Sequence, residues 1–338
     1  MSATAAQTPL HAVGRFDDPH TGAERSLPDL AQALRGLRQT MLWSDVAVHP
    51  AFALHGVRSL AAAGEAGPRG GTLLIGGVHV QLGSWLDAVG PQRIVLRYNL
   101  PNHQRLFEAI ARIRSATGLE PELVFVSAAL QQAVGLPGRV EPSLIRLDDY
   151  LAHPLPREPR KTLTIGRLSR DVIEKHDPRD AALYRLLAAR GWQVRIMGGC
   201  CLAPTLASVP GIELLPAGTE PAHVFLRSLD VFFYRTGSFV EPYGRVVFEA
   251  MASGLPVVAG MDGGYAEQIR QGVDGVLVHS QEQALQALNV LAAQPALRLR
   301  MGAAARESAI RLHGDRAITR IARNYLEDDA RAIRAGLA

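Results

Sequence analysis

Apolar runs of strand length alternate with helical stripes along the first half of the chain. A first set of leucines falls on one helical face, and a second apolar stripe follows further on: Leu27, Leu30, Leu34 and Leu37, then Leu106, Phe107, Ile110 and Ile113. The runs predicted as strands are residues 10–16, 72–80, 93–98, 123–127 and 144–147. Because strands that alternate with helices favour a parallel sheet, residues 1–154 are predicted to form a Rossmann-like domain.

The same alternation is more regular in the second half. Strands are predicted at 162–165, 193–197, 212–215, 231–234 and 257–259, and a helix at 178–190. Asp177 is suited to the N-cap of that helix and Gly191 to its end. Residues 155–314 are therefore predicted to form a second Rossmann-like domain. Residues 151–161, which contain three prolines, read as a linker, and an amphipathic helix is predicted over 313–331, in a terminal segment of 315–338.

Composition narrows the class of protein. With 47% hydrophobic and 20% charged residues, the 338-residue chain has the composition of a soluble globular protein. No apolar run is long enough to span a membrane, and the N-terminus lacks the pattern of a signal peptide, so a cytoplasmic location is expected. The two cysteines, Cys200 and Cys201, are adjacent, and no spacing indicates a zinc site.

The net charge of +4 rests on arginine, since Lys161 and Lys175 are the only lysines. No motif supports nucleic-acid binding, whereas phosphates, acidic ligands or an anionic bilayer are compatible with this charge. The stripe around Ile110 carries three arginines elsewhere around the helix: Arg105, Arg112 and Arg114. It is interpreted as a docked helix with a solvated basic face, with a membrane-surface helix as the alternative.

The segment from Asp230 to Ala259 carries the candidate chemistry. Its order is strand, polar loop, helix and strand, with Glu241 on the loop and Glu249 one turn inside the helix. Backbone N–H groups at the helix start behind a glycine form an anion site, and those predicted here belong to Tyr243, Gly244 and Arg245. Carboxylates beside a phosphate site favour a ligand with both phosphates and hydroxyls, such as a nucleotide sugar. The alternative is an ordinary βαβ unit with two solvated glutamates.

The residues EPYGRVVFEAMASGLPVV resemble the Glu-x7-Glu segment of retaining glycosyltransferases of the GT-B fold, the "group 1" or family 4 enzymes. This resemblance implies an α/β fold of two Rossmann-like domains whose parallel sheets face across a cleft, with a C-terminal helix that crosses back. It also implies that Glu241 lies beside the donor sugar and that Glu249 binds the ribose.

Further segments resemble the same family. IGRLSRDVIEKHDP is similar to the loop whose Arg and Lys hold the donor diphosphate, here Arg167 and Lys175 after Gly166, although this loop is longer than usual. Gly198 and Gly199 resemble the loop near the nucleotide, and Gly22 the glycine of the first loop over the donor phosphates. Many relatives have a histidine at the position of Asn99, so Asn99 or the nearby His103 is a candidate on the acceptor side.

The resemblance implies transfer of a sugar from a nucleoside-diphosphate sugar to an acceptor hydroxyl with retention of configuration, as in polysaccharide biosynthesis. The acceptor would be a saccharide, a lipid-linked glycan or a small molecule, and peripheral contact with the cytoplasmic membrane face is compatible with it. No cofactor is implied, and no metal is expected because the chain has no Asp-x-Asp pair. The alternatives are a non-catalytic glycosyltransferase-like subunit and a GT-B epimerase or phosphorylase. A Rossmann oxidoreductase is disfavoured because no Gly-x-Gly-x-x-Gly follows the first strand.

Overall fold

The computed structural model describes residues 8–152 and 162–326. Of these, residues 8–144 and 315–326 form a first compact unit, and residues 145–152 and 162–314 form a second. The linker predicted at 151–161 lies outside the described residues from 153 onward, and so does the predicted terminal helix beyond 326.

Each unit contains one parallel sheet. The strands are β1 (Leu10–Gly14), β2 (Thr40–Ser44), β3 (Arg58–Ser59), β4 (Thr72–Ile75), β5 (Arg93–Tyr98), β6 (Glu122–Phe125), β7 (Arg139–Val140), β8 (Thr164–Leu168), β9 (Gln193–Met197), β10 (Ile212–Leu215), β11 (Val231–Tyr234), β12 (Val257–Gly260) and β13 (Val276–Val278). The first sheet has the order β3-β2-β1-β4-β5-β6-β7, and the second the order β10-β9-β8-β11-β12-β13. Because the order reverses beside the first strand of each sheet, ligands are expected above the carboxyl ends of these central strands.

The helices cover the faces of these sheets. They are α1 (Gly22–Ala33), α2 (Leu60–Ala63), α3 (His103–Thr117), α4 (Ala128–Val134), α5 (Asp148–Leu151), α6 (Asp180–Ala189), α7 (Ala203–Leu206), α8 (Ala222–Arg227), α9 (Arg245–Ala252), α10 (Gln281–Ala293), α11 (Pro295–His313) and α12 (Asp315–Leu326). Among the described residues, no helix is both long enough and apolar enough to cross a membrane.

Helix α12 belongs to the first unit although it comes last in the chain. Ile321, Ala322 and Tyr325 are buried in the core that α1 and the first sheet also form. The Tyr325 hydroxyl donates to the buried Glu141 carboxylate at 2.8 Å, and the Arg38 guanidinium donates to the Tyr325 carbonyl. Apolar burial and buried hydrogen bonds therefore both hold α12 on this sheet.

Several predicted boundaries are wrong. Leu144, Ile145 and Leu147 are buried, but residues 144–147 form no strand. The strand predicted to reach Val80 ends at Ile75, and the helix predicted at 27–37 spans Gly22–Ala33. The strands β2, β3, β7 and β13 were not predicted.

In the second half, α6 begins at Asp180 rather than at Pro178, and the Asp177 carboxylate forms ion pairs with Arg179 and Arg235 instead of capping a helix. His313, predicted to begin the terminal helix, is the last residue of α11, and α12 begins after Gly314.

Candidate active site

Lys175 and Glu241 form an ion pair at the carboxyl ends of two neighbouring strands. Lys175 follows β8 and Glu241 follows β11, and these strands pair directly. The Lys175 Nζ lies 2.6 Å from the Glu241 Oε2, and only 9% and 12% of the two side chains are exposed. The same Oε2 accepts a hydrogen bond from the Tyr234 hydroxyl at 2.8 Å. Two of the predicted site residues are therefore brought together.

The long loop after β8 folds back towards the loop after β11. The Glu174 carbonyl accepts hydrogen bonds from the N–H groups of Gly237 and Phe239, each at 3.1 Å. A Cβ at Gly237 would lie 2.4 Å from the His176 carbonyl oxygen, so this close approach requires glycine. The Lys175 Nζ also lies 3.6 Å from the centroid of the Phe239 ring. The extra residues of this loop therefore do not keep Lys175 away from Glu241.

Burial has opposite consequences for the two polar partners of Glu241. It lowers the pKa of Lys175, while the Glu241 carboxylate acts in the other direction. Burial raises the pKa of Tyr234, and the neighbouring Glu241 charge raises it further. The Tyr234 phenol therefore stays protonated and serves as a hydrogen-bond donor to the carboxylate. Sequence analysis did not assign Tyr234 a role, although its place at the end of a buried strand was visible.

Arg167 lies within this unit as a fully buried side chain rather than at its surface. One Nη donates to the Arg235 carbonyl and the other to the Lys175 carbonyl, each at 2.6 Å. Its guanidinium carbon is 4.6 Å from the centroid of the Tyr234 ring. Arg167 thus supports the backbone of Lys175, and its contact with a diphosphate stays a prediction.

The start of α9 has the features predicted for an anion site. Gly244 occupies the N-cap position with a φ of +82°, and no side chain caps the helix. A Cβ there would lie 2.4 Å from the Tyr265 ring. Tyr243 and Arg245 are buried on either side, and Glu249 is fully buried within α9. The helix dipole at this start favours a negatively charged group.

A buried histidine supports Tyr243. The His313 Nε2 lies 3.2 Å from the Tyr243 hydroxyl, and the Tyr243 ring stacks on Phe248 at a centroid distance of 4.7 Å. Burial lowers the pKa of His313 to about 3, with the Arg245 charge acting in the same direction. His313 is therefore neutral at physiological pH.

The predicted glycines have structural reasons for lacking a side chain. A Cβ at Gly166 would lie 2.4 Å from the Arg195 carbonyl oxygen in β9. Gly198 has a φ of +78°, and its Cβ would lie 1.9 Å from the Ser169 carbonyl oxygen. The N–H groups of Gly198 and Gly199 bond to the Leu215 carbonyl at 2.8 and 3.2 Å. These glycines shape the backbone around the site, and their contact with a nucleotide stays a prediction.

Arg235, Asp177 and Asp180 form a second polar cluster in this unit, which was not predicted from the sequence. Arg235 is buried between two aspartates: one Nη is 2.9 Å from Asp180, and the other bonds to Asp177. Burial raises the pKa of Asp180 to about 7 against the opposing charge of Arg235. The His176 Nε2 donates to the Gly198 carbonyl at 3.0 Å, so this nitrogen carries the proton. Burial and the Arg167 charge lower the pKa of His176 to about 3.

The first unit contains a separate cavity of about 270 Å³. Thr21 and Ala23, the neighbours of Gly22, line it together with Glu24, His79 and Asn99. The Asn99 amide donates to the Gly76 carbonyl at 2.8 Å. His103 is exposed at the start of α3 and is not among the residues that line the cavity. The structure therefore brings Asn99, and not His103, to the first loop.

The arginines of α3 all have partners within the first unit. Arg112 binds Asp87 through both Nη atoms, and Arg114 pairs with Glu120. Arg105 bonds to the His79 Nδ1 at 2.8 Å. The apolar face of α3 is buried within the first unit, and contact of its basic face with a membrane stays untested.

Known proteins resemble the second unit in sequence and both units in fold. Residues 216–308 match the family of glycosyl transferases group 1. A D-inositol 3-phosphate glycosyltransferase from Streptomyces griseus is 38% identical over 125 residues, which are 36% of this chain and 26% of that protein. The match thus spans about a quarter of the length of this curated relative.

Solved structures match nearly the whole chain. The Anabaena protein HepE in complex with UDP-glucose has a TM-score of 0.73 at 16% identity, over 95% of this chain and 100% of that one. Sucrose-phosphate synthase from Thermosynechococcus elongatus has a TM-score of 0.71 at 15% identity, over 96% and 100%. The chain therefore has the GT-B fold, and residues 216–308 within it are similar to the group 1 glycosyltransferases. In this GT-B chain, the matched family segment includes Glu241, Gly244 and Glu249, three of the residues around the ion pair and the α9 start.

Proposed function

We propose that this chain is a glycosyltransferase that moves a sugar from a nucleoside-diphosphate sugar to an acceptor hydroxyl with retention of configuration. The observation that carries the proposal is the Lys175–Glu241 pair, which lies at the carboxyl ends of β8 and β11 in a chain whose residues 216–308 are similar to the group 1 glycosyltransferases. Ligands of parallel α/β sheets bind at such strand ends. The UDP-glucose in the Anabaena neighbour makes a UDP-sugar the first donor to test.

In this proposal the leaving diphosphate binds Lys175 and the start of α9. Negative charge builds up on the diphosphate as the glycosidic bond breaks, and cations fixed beside it stabilise the transition state. The α9 start adds a partial positive charge of about one half of an elementary charge. Arg167 acts as a positioning residue, because it holds the carbonyl of Lys175.

The carboxylates act on hydroxyl groups. Glu241 orients the donor sugar once the diphosphate draws Lys175 away from it, and Glu249 binds the ribose diol. The reaction passes through an oxocarbenium-like transition state, and the departing diphosphate takes the proton of the acceptor hydroxyl on the same face. No protein nucleophile is assigned, and no cofactor takes part in the proposed reaction.

The test is UDP release from a panel of UDP-sugars in the presence of saccharide acceptors. We expect the wild-type chain to bind UDP and to turn over at least one donor. Glu241→Gln should lower kcat by about a hundredfold, because the neutral amide loses a charged contact with the sugar. The matched control is Glu307→Gln, at an exposed position of α11. A wild-type chain that binds no nucleoside diphosphate, or a Glu241→Gln variant with wild-type kcat, would contradict the proposal.

A non-catalytic glycosyltransferase-like subunit is the second candidate, and Asn99 favours it. The Asn99 amide is engaged with the Gly76 carbonyl, at the position where many relatives have a histidine. This candidate predicts that UDP binds while no donor turns over with any acceptor. An epimerase or phosphorylase would instead change the UDP-sugar itself or consume phosphate, and product analysis distinguishes these outcomes.

A further inference from the structure

The cavity of the first unit is small and lies at the carboxyl ends of central strands. Gly14 ends β1, Gly76 and Gly77 follow β4, and Asn99 follows β5. A Cβ at Gly76 would lie 2.5 Å from the Leu27 side chain, and one at Gly77 would lie 2.8 Å from the Asn99 amide oxygen. The volume of about 270 Å³ is at the low end for ligand pockets, which suits a single ring better than an extended ligand.

A buried carboxyl group lines this cavity. Glu24 is 8% exposed, and its Oε2 accepts a hydrogen bond from the Asp18 N–H at 2.8 Å. Burial raises the pKa of Glu24 to about 7, with the Asp17 carboxylate acting in the same direction and the Asp18 N–H against it. Glu24 stands in the first turn of α1, so a carboxylate of the protein already faces this helix start.

Three further carboxylates lie next to residues that line the cavity. Asp17 pairs with Arg15, and Asp18 accepts a hydrogen bond from the Thr21 hydroxyl at 2.9 Å. The Asp45 Oδ2 accepts from the N–H of Gln81, the residue after Val80, at 2.6 Å, and burial raises the pKa of Asp45. Glu24 is thus the carboxyl group of the lining itself, and these three carboxylates stand behind it.

The cations nearby are already engaged. Arg15 lines the cavity and donates to the Asp17 Oδ2 from two nitrogens, at 2.8 and 3.3 Å. Arg105 bonds to the His79 Nδ1, and because arginine only donates, this nitrogen accepts and the His79 ring is neutral. A phosphate in the cavity would meet the Glu24 carboxyl, and the Arg15 guanidinium of the lining is already paired with Asp17.

We propose that this cavity binds a neutral, hydroxyl-bearing ring of the acceptor and discriminates against a ring that carries a phosphate or carboxylate. The inference rests on the proposed function, since it names the class of acceptor that the enzyme takes. Carboxylates and the Asn99 amide are hydrogen-bond partners for hydroxyl groups, and like charges repel an anionic substituent. The same repulsion argues that the start of α1, with Gly22 in its first turn, is not the phosphate site of the donor.

The test compares neutral and phosphorylated forms of one ring. Ligand-observed NMR with the full chain at pH 8 would give affinities for D-glucose and D-glucose 6-phosphate, and for myo-inositol and its 3-phosphate. In wild type, at least one neutral ring should bind about tenfold more tightly than its phosphate. Glu24→Gln should reduce this ratio by about tenfold, whereas Glu108→Gln, at an exposed position of α3, should leave it unchanged.

The affinity for UDP, measured on the same samples, separates this inference from the proposed function. If UDP binds but the phosphorylated rings bind more tightly than the neutral ones, or no ring binds, the inference is wrong and the donor assignment stands. If the wild-type chain does not bind UDP, the proposed function is wrong instead. The affinities of the wild-type chain for neutral and phosphorylated rings test the inference even if the Glu24→Gln variant fails to fold.

Discussion

Arg167 and Lys175 were both predicted to hold the donor diphosphate, but their side chains occupy different environments. Arg167 is fully buried and donates to two backbone carbonyls, whereas the Lys175 Nζ meets a carboxylate that is itself slightly exposed. An arginine suits the first role because its planar guanidinium donates in fixed directions. Removal of Arg167 would leave two buried carbonyls without these donors, while removal of the Lys175 charge would leave the Glu241 carboxylate without its cation.

This difference predicts that the two variants separate in donor binding. Arg167→Met should lower the free energy of unfolding of the second unit by about 2–4 kcal/mol, because buried acceptors lose their partners. Lys175→Met should also lower it, by about 3 kcal/mol, because the largely buried Glu241 carboxylate loses its cation. The same Lys175 variant should weaken UDP binding about tenfold or more.

Urea unfolding and UDP titration of both variants would check this. The assignment is wrong if Arg167→Met keeps wild-type stability and loses UDP binding, since that outcome would mean direct contact between Arg167 and the diphosphate.

At the scale of secondary-structure elements, the sequence predicts the bounds of several central strands correctly. It predicts the other strands of each sheet less well. The strands β5, β9, β10 and β11 have the predicted bounds, because each is rich in apolar residues and is followed by a polar, glycine or proline residue. The run at 144–147 also consists mostly of apolar residues, but these apolar residues are buried without forming a strand. Apolar content reports burial, and only strand pairing decides which buried run becomes a strand.

The residues of the candidate site could also be predicted only in part from the sequence. Glu241, Gly244 and Lys175 could be found from motif spacing, because these residues lie in short stretches next to strands. The cluster of Arg235 with Asp177 and Asp180 joins residues more than fifty positions apart. Such pairing depends on how the loop after β8 packs against the loop after β11, and residue order alone carries no signal for it.

Two buried histidines predict acid sensitivity of the second unit. The pKa of His176 and that of His313 are lowered to about 3, from 6.5 in the unfolded chain. Below pH 6.5 the unfolded chain therefore binds two more protons than the folded one, and the free energy of unfolding falls as the pH falls towards 3. Asp180, with a pKa raised from 3.8 to about 7, acts in the opposite direction over most of this range.

The net expectation is a loss of about 1.4 kcal/mol for each pH unit below 6. His313→Gln should make the stability nearly independent of pH between 6 and 4.5. His279→Gln, at an exposed position, should behave as wild type. Urea midpoints at pH 7.5, 6 and 4.5 measure this, and an equally acid-sensitive His313→Gln variant would contradict the neutral state of His313.

At the scale of the whole molecule, the proposed donor site uses charges of the protein itself. In the proposal Lys175 and the α9 start supply positive charge for the diphosphate, and Glu241 contacts Lys175 and Tyr234. Across residues 8–152 and 162–326, no group of three or more His, Cys, Asp or Glu side chains is placed to hold a metal ion. We predict that transfer does not require a divalent metal.

An assay with and without excess EDTA, with a donor that turns over, checks this expectation. Equal rates are expected, since Lys175 and the helix dipole perform the role that a metal would have. Activity lost in EDTA and restored by magnesium or manganese would contradict it and would reopen the assignment of both glutamates.

Because the chain contains few lysines, the state of the Lys175–Glu241 ion pair can be probed by chemical labelling. Only two of the 36 basic residues are lysines, and one of them is Lys175. An amine-reactive reagent therefore meets two lysine side chains in this sequence, Lys161 and Lys175. Contact with Glu241 shields the Lys175 amine, and a bound diphosphate would shield it as well. Glu241→Gln leaves the amine without its carboxylate, so acylation of this single peptide, followed by mass spectrometry, would report directly on the state of the site.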